Sequence, residues 1–100
     1  MTIDLSRFSP MAMQTGLSID NTTGGITLTM PTNARPRAAV ITVFTAPIRF
    51  TVTGTAPTAT LGHRADIHEQ IVLENSAEVT NFKGIREGGT SATIDVTFYG

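Results

Sequence analysis

Apolar and polar residues alternate along several short stretches of this 100-residue chain, with the period of a β-strand. Residues 92–98 alternate most regularly, and residues 48–53 and 26–30 follow the same pattern. Successive side chains of a strand point to opposite faces, whereas a helix would mix threonines and apolar residues on one face. The pattern therefore predicts three strands with one buried side. The predicted inward side chains are Ala92, Ile94, Val96, Phe98, Ile48, Phe50 and Val52.

Two further strands are predicted from stretches that are apolar on both faces. Residues 38–45 read Ala-Ala-Val-Ile-Thr-Val-Phe-Thr, which is typical of a central strand covered on both sides. Residues 70–73 form a shorter apolar strand. Lys83–Arg86 and the final strand flank Gly88-Gly89, and this arrangement predicts a hairpin.

Turns and one short helix complete the secondary-structure prediction. Residues 21–25, Asn-Thr-Thr-Gly-Gly, predict a turn. Asn75 followed three residues later by Glu78 resembles a capping box, which predicts one helical turn near 76–81. Val79 and Phe82 would then face the core.

Seven or eight short strands separated by regular turns predict an all-β domain. We expect a single domain over residues 1–100, an antiparallel β-sandwich (jelly-roll-like) or a small barrel. Residues 1–16 have the least regular pattern, although Ile3 and Leu5 suit the start of a strand. Residues 1–14 are either an ordinary edge segment or an arm that docks on a neighbour. In the second case Phe8, Met11 and Met13 are the candidate assembly-interface residues, because Met and Phe are adaptable apolar anchors.

Composition favours a domain that other proteins cover. Charged residues make up 15% of the chain, against about 25% in an average domain, and eighteen residues are threonine. The cores of protein interfaces are depleted in Lys, Glu and Asp. The net charge is −1 and the basic residues are scattered, so we expect no nucleic-acid partner. No apolar run suits a membrane span, the first residues do not resemble a secretory signal, and the absence of cysteine excludes disulfides.

Residues 63–69, His-Arg-Ala-Asp-Ile-His-Glu, contain the densest group of potential ligands. A metal site through His63, Asp66 and His68 is one interpretation, but Arg64 would repel a cation. A pH-sensitive contact is a second, and a polar loop leading into the strand at 70–73 is the third and preferred one. No serine lies in the sequence context of a catalytic nucleophile, so we expect neither enzymatic activity nor a cofactor.

Four blocks of the second half, in order, resemble a family of small structural proteins of tailed-bacteriophage virions. The resemblance covers residues 38–99. The blocks are Thr45–Phe50 (Thr-Ala-Pro-Ile-Arg-Phe), Ala56–His63 (Ala-Pro-Thr-Ala-Thr-Leu-Gly-His), Asn81–Arg86 (Asn-Phe-Lys-Gly-Ile-Arg) and Thr90–Tyr99 (Thr-Ser-Ala-Thr-Ile-Asp-Val-Thr-Phe-Tyr). The chain departs from the family at residues 64–68, where a Gly/Asp turn is expected, and its first 37 residues match no pattern of the family.

The resemblance implies a multi-copy capsid decoration or cement protein, made in the host cytoplasm and located in the virion. The implied partners are the major capsid protein or other virion proteins, together with further copies of the chain in a trimer or ring. A head–tail or tail accessory protein is an alternative, and a carbohydrate- or cell-surface-binding module is another. The family implies no catalytic residues.

Overall fold

The computed structural model describes residues 9–32 and 35–100, which form two packed antiparallel β-sheets and one short helix. The four-stranded sheet has the order β1-β7-β2-β5 and the three-stranded sheet the order β4-β3-β6. The all-β, sandwich-like prediction with seven strands is confirmed. The elements are β1 (Pro10–Ile19), β2 (Ala38–Phe44), β3 (Ile48–Thr51), β4 (His63–Ala65), β5 (Gln70–Leu73), α1 (Ser76–Asn81), β6 (Lys83–Arg86) and β7 (Ala92–Tyr99).

Alternation places the core between the sheets. In β7 every second residue is buried, as the sequence predicted. The central strand β2 buries Ala39, Ile41 and Val43 on its inner side. On its outer side Ala38 is buried, whereas the other side chains are half-buried. The prediction of a central strand is confirmed, but the predicted coverage of both faces is only partial. The inner layer contains Ile19, Ala39, Ile41, Val43, Ile48, Ala65, Ile71, Leu73, Val79, Phe82, Ala92, Ile94, Val96 and Phe98.

The chain changes sheet by tight connections. Between β2 and β3 the Ala46 amide donates to the Phe44 carbonyl (2.9 Å) across Thr45, whose φ is 77°. This is a γ-turn of the uncommon positive-φ type, and it reverses the chain within a single residue. At the entry to β4, Gly62 has a φ of 125°, and a Cβ there would lie 2.8 Å from the Phe50 carbonyl oxygen. Only glycine allows β4 to pass this close to β3.

The helix α1 begins at the predicted cap Asn75, but the second bond of the capping box is shifted by one residue, from Asn75 to Glu74. The Asn75 side chain accepts a hydrogen bond from the Glu78 amide (2.9 Å), and Glu78 Oε1 accepts one from the Glu74 amide (2.7 Å). Val79 and Phe82 are buried, and the Phe82 ring stacks on Phe50 with centroids 5.8 Å apart. The helix thus joins β5 to β6 and closes one end of the sandwich with apolar side chains.

Two local predictions are wrong. Residues 26–30 form no strand, because the segment crosses from one sheet to the other and pairs only once, at the bridge between Ile26 and Gly84. The predicted hairpin around Gly88-Gly89 is also absent. Its two strands, β6 and β7, lie in different sheets, and the glycines form the crossing between them. The turn predicted at 21–25 is present, with the Gly25 amide donating to the Thr22 carbonyl (3.0 Å).

The burial of the aromatic rings gives the first testable prediction. Phe98 is 1% exposed, whereas Phe50 is half-buried. Phe98→Ala should therefore lower the free energy of unfolding by about 3–5 kcal/mol, and Phe50→Ala by clearly less. Urea denaturation of both variants measures this difference. Equal losses of unfolding free energy would mean that Phe50 is as deeply buried in solution as Phe98, which would contradict its half-buried position in the structure.

Candidate protein interface

The outer side of the four-stranded sheet is a surface almost without charge. The strand registers place Met13, Thr97, Val40 and Val72 side by side in one row across all four strands. Neighbouring rows hold Asp95, Thr42 and Gln70, and Ser18, Thr93 and Phe44. We call these ten residues the charge-poor face. Their side chains share one side of the sheet, because cross-strand partners point to the same face.

Asp95 is the one charged residue of the charge-poor face, and its carboxylate already has a partner. Its Oδ1 accepts a hydrogen bond from the Gly16 amide (2.9 Å). Gly16, with a φ of 66°, lies where the register of β1 shifts between Gln14 and Leu17, which marks a β-bulge. Asp95 therefore holds the bulge of the edge strand β1 and is not a free charge on the face.

The structure places the three predicted interface residues differently. Met13 lies on the charge-poor face and is 62% exposed. Met11 is 39% exposed and lies at the other register shift of β1, with its side chain against Gly100. Phe8 lies outside the described residues. Thr97, Val40 and Val72 were not predicted as interface residues, although Val40 and Val72 are apolar residues on the second side of a predicted strand.

The outer side of the three-stranded sheet has the opposite character. Arg49 and Arg64 are direct cross-strand neighbours in β3 and β4, an arrangement that repulsion between like charges disfavours. Glu87 follows β6 and bridges them: Arg49 Nε lies 2.8 Å from its Oε2, and Arg64 Nε lies 2.9 Å from its Oε1. Arg64 also reaches Asp66 Oδ2 at 3.3 Å. These four residues form the ion-pair cluster, whose charges satisfy one another.

The ion pairs shift the ionisation of the acidic members of the cluster. The hydrogen bond from Arg64 holds the pKa of Glu87 below its ordinary value, with the charges of both arginines adding to the effect. The hydrogen bond from the Ile67 amide, followed by the one from Arg64, lowers the pKa of Asp66. Both carboxylates are therefore held in the charged form. This is typical of a structural cluster that ties β3, β4 and the end of β6 together.

The residues of the predicted ligand group do not converge on one point. Within residues 9–32 and 35–100, no three His, Asp or Glu side chains lie close enough to hold a metal ion. His63 packs on the Phe50 ring (centroids 5.5 Å apart), and His68 meets the edge of Phe44 (6.0 Å) on the other sheet. Asp66 forms an ion pair with Arg64. The segment consists of the edge strand β4 and a turn after it, in which the Glu69 amide donates to the Asp66 carbonyl (3.1 Å).

The described aromatic side chains do not form an exposed stacking platform of the kind that sugar-binding sites use. Phe82 and Phe98 are buried, and the other three are half-buried. Among residues 9–32 and 35–100 the structure also contains no helix with the length and apolar character that a bilayer span requires.

Comparison with known proteins adds no relative: no family model, no curated protein and no solved structure matches this chain.

The ion-pair cluster makes stability depend on pH in a defined direction. Because the folded-state pKa of Glu87 is lowered, its contribution is complete above the ordinary glutamate pKa of about 4.3 and is lost as pH falls through the folded value. Glu87→Gln should therefore lower the melting temperature at neutral pH. The gap to the unmodified protein should close as the medium is acidified below the folded pKa. Calorimetry across this pH range measures the gap.

A double-mutant cycle provides the control for this prediction. If Glu87 acts through Arg64, the losses from Glu87→Gln and Arg64→Gln are not additive in the double variant. Additive losses at neutral pH would show that the two side chains are uncoupled in solution, and the assignment of the cluster would then be wrong.

Proposed function

We propose that this chain is a structural protein of a tailed-bacteriophage virion, a multi-copy capsid decoration subunit. Its partner is the major capsid lattice, and its contact surface is the charge-poor face. The observation that carries the proposal is the single row of Met13, Thr97, Val40 and Val72 across four strands, with Asp95 as the one charged residue of the charge-poor face. A face depleted in charge and open to solvent favours a surface that a partner covers.

The resemblance noted in the sequence supports the same class of protein. Its blocks fall on elements that define the sandwich: Thr45–Phe50 contains the γ-turn and β3, and Thr90–Tyr99 contains β7, an inner strand of the larger sheet. Ala56–His63 leads into β4, and Asn81–Arg86 contains β6. The blocks therefore describe a framework, and they bring no catalytic residues to the proposal.

The size of the charge-poor face favours binding in many copies. Its three rows lie about 6.6 Å apart and its four strands about 4.8 Å apart, which gives a face of roughly 400 Å². A stable interface between two proteins buries about 800 Å² on each partner. One face alone makes a weak contact, and such contacts become strong when linked copies engage repeated sites together. A capsid surface supplies repeated sites.

The position in the virion is the finer part of the proposal. A decoration subunit covers the capsid surface, whereas a head–tail or tail accessory protein occupies one ring per particle. Gel densitometry of purified particles against the major capsid protein separates the two. If the number of copies per particle is close to that of the capsid protein, the result supports a decoration protein. If it corresponds to a single ring of subunits, the protein is a head–tail or tail accessory protein and not a decoration protein.

Substitution of Thr97 by Asp tests the face directly. Thr97 lies between Met13 and Val40 in the row, so a carboxylate there would be buried without a partner on binding. We expect Thr97→Asp to weaken binding to capsid shells, assembled from the accompanying major capsid protein, by at least about tenfold, equivalent to about 1.4 kcal/mol. Co-sedimentation over a range of protein concentrations measures the affinity.

Thr60→Asp is the matched control. Thr60 is exposed in the loop before β4, away from the four-stranded sheet, and the substitution is chemically the same. It should leave binding unchanged, and both variants should melt like the unmodified protein. If folded Thr97→Asp binds shells as well as Thr60→Asp does, the charge-poor face is not the contact surface. If the unmodified protein does not bind shells at all, the proposed function is wrong.

A further inference from the structure

The sandwich is open along one side, between the edges of its two sheets. A groove of about 410 Å³ lies between β4 and β5, within the range of about 300–1,000 Å³ that is usual for ligand sites. Its walls are largely apolar, formed from one sheet by Phe50, Val52 and Ala65 and from the other by Ile71 and Leu73. We call this the β4–β5 groove.

Both strands that flank the groove have a free edge. In the described part of the chain, β4 pairs with β3 alone and β5 with β2 alone. The Val43 amide donates to the Glu69 carbonyl (3.1 Å), and because antiparallel bonding alternates, Ile71 and Leu73 bond to β2 in the same way. The N–H and C=O groups of Gln70 and Val72 therefore point away from β2, and an added strand can bond to them.

The charge left in the groove is negative. Glu69 and Glu78 line it, and in the described part of the chain neither forms an ion pair, although their carboxylates accept hydrogen bonds from the Asp66 and Glu74 amides (2.8 and 2.7 Å). Its arginine, Arg64, is held by Glu87 and Asp66 in the ion-pair cluster. An extended peptide segment that fits the groove therefore has apolar side chains and a basic residue on the side that faces the groove. Its other side, which faces solvent, is polar.

Residues 2–7 of the chain have this pattern, and residues 1–8 lie outside the described residues. In an extended conformation Ile3, Leu5 and Arg7 share one side, and Thr2, Asp4 and Ser6 share the other with Phe8. We propose that residues 1–8 of a second copy of the chain bind in the β4–β5 groove as an added strand. Ile3 and Leu5 contact the apolar walls, and Arg7 faces the groove carboxylates. This is strand addition to a sheet edge.

The position of Ser9 favours a second copy over the same copy. Ser9 pairs with Gly100 beside β1, at the edge of the larger sheet opposite β5. To reach the groove of its own copy, the segment would have to cross the larger sheet from β1 to β5, a distance of roughly 14 Å for three strand spacings of about 4.8 Å. It would also have to pass α1, which lies against β2 and β5 at that end of the sheet. Eight extended residues span about 26–29 Å, so this path would leave little chain to fill the groove. A second copy carries no such restriction.

The proposed contact joins two different patches, β1's end of one copy and β5's edge of the next. Such head-to-tail contacts generate a ring when the rotation closes and a chain of subunits when it does not. The inference does not rest on the virion role, because the groove, the free edges and the pattern of residues 1–8 are properties of the chain itself.

Cysteine cross-linking tests the contact, since the chain contains no cysteine of its own. Asp4→Cys protein, isotope-labelled, is mixed with unlabelled Gln70→Cys protein and oxidised, because Asp4 and Gln70 would lie on the same, outer side of the extended sheet. We expect a mixed disulfide dimer, seen by intact mass, at a yield several times that of the pair Asp4→Cys and Thr23→Cys, because Thr23 lies in the exposed turn away from the groove. Equal yields would overturn the proposal. So would an Asp4→Cys/Gln70→Cys double variant that closes only within single chains.

Light scattering of the full-length protein gives the second measurement. Ile3→Asp with Leu5→Asp places two charges on the groove side of the segment and should reduce the mass in solution to that of one chain, 10.6 kDa. Thr2→Asp with Ser6→Asp adds the same charge on the opposite side and should leave the assembly intact. An unmodified protein that is already a single chain at high concentration, or equal effects of the two double variants, would contradict the inference. Binding of each variant to capsid shells, measured in parallel, tests the proposed function separately.

Discussion

The fold depends on the burial of one set of alternating side chains between two sheets. Rows of paired residues cross the larger sheet on its inner side, such as Phe98, Ala39 and Leu73, or Val96, Ile41 and Ile71. Each large aliphatic or aromatic side chain buried in this layer contributes about 1.5–3 kcal/mol. Because the period is two, a shift of one residue in any register would exchange the whole layer with the outer one. The same constraint that fixes the core therefore fixes which residues form the charge-poor face.

The alternation of apolar and polar residues predicts a strand or helix well where the element buries one face and its contacts are near in sequence. It predicts poorly where the structure of a segment depends on a strand that is distant in sequence. The alternation in β7 and the capping residues Asn75 and Glu78 were sufficient, since each reflects a contact within the element or with the layer beneath it. Residues 26–30 alternate equally well, yet they cross between sheets, and no local signal shows that the segment forms a single β-bridge, between Ile26 and Gly84. Gly88-Gly89 likewise marks a reversal of the chain without showing that the reversal changes sheet.

The candidate interface could be predicted only in part for the same reason. Met13 was recognisable as an apolar residue in an irregular segment, but its neighbours come from β7, β2 and β5, which are far apart in sequence. The family resemblance also indicated no surface, because its blocks fall on framework strands. The ion-pair cluster was not predicted for a related reason: the sequence places Arg64 beside His63 and Asp66, whereas its partner Glu87 lies twenty-three residues later.

The two outer faces of the sandwich use charge differently, and this difference limits what each can do. On the smaller sheet, four charged side chains form the ion-pair cluster, so covering that face would carry the cost of desolvating all of them. On the larger sheet, covering the face would desolvate a single carboxylate, which already accepts a hydrogen bond from the Gly16 amide. Among the described strands, β1 and β5 form the two edges of the larger sheet and bound this second face on its two sides. Contacts made through those edges lie in the plane of the sheet and leave the face itself uncovered. Copies joined by residues 1–8 would therefore keep their charge-poor faces available together, and a repeated partner surface could bind several of them at once.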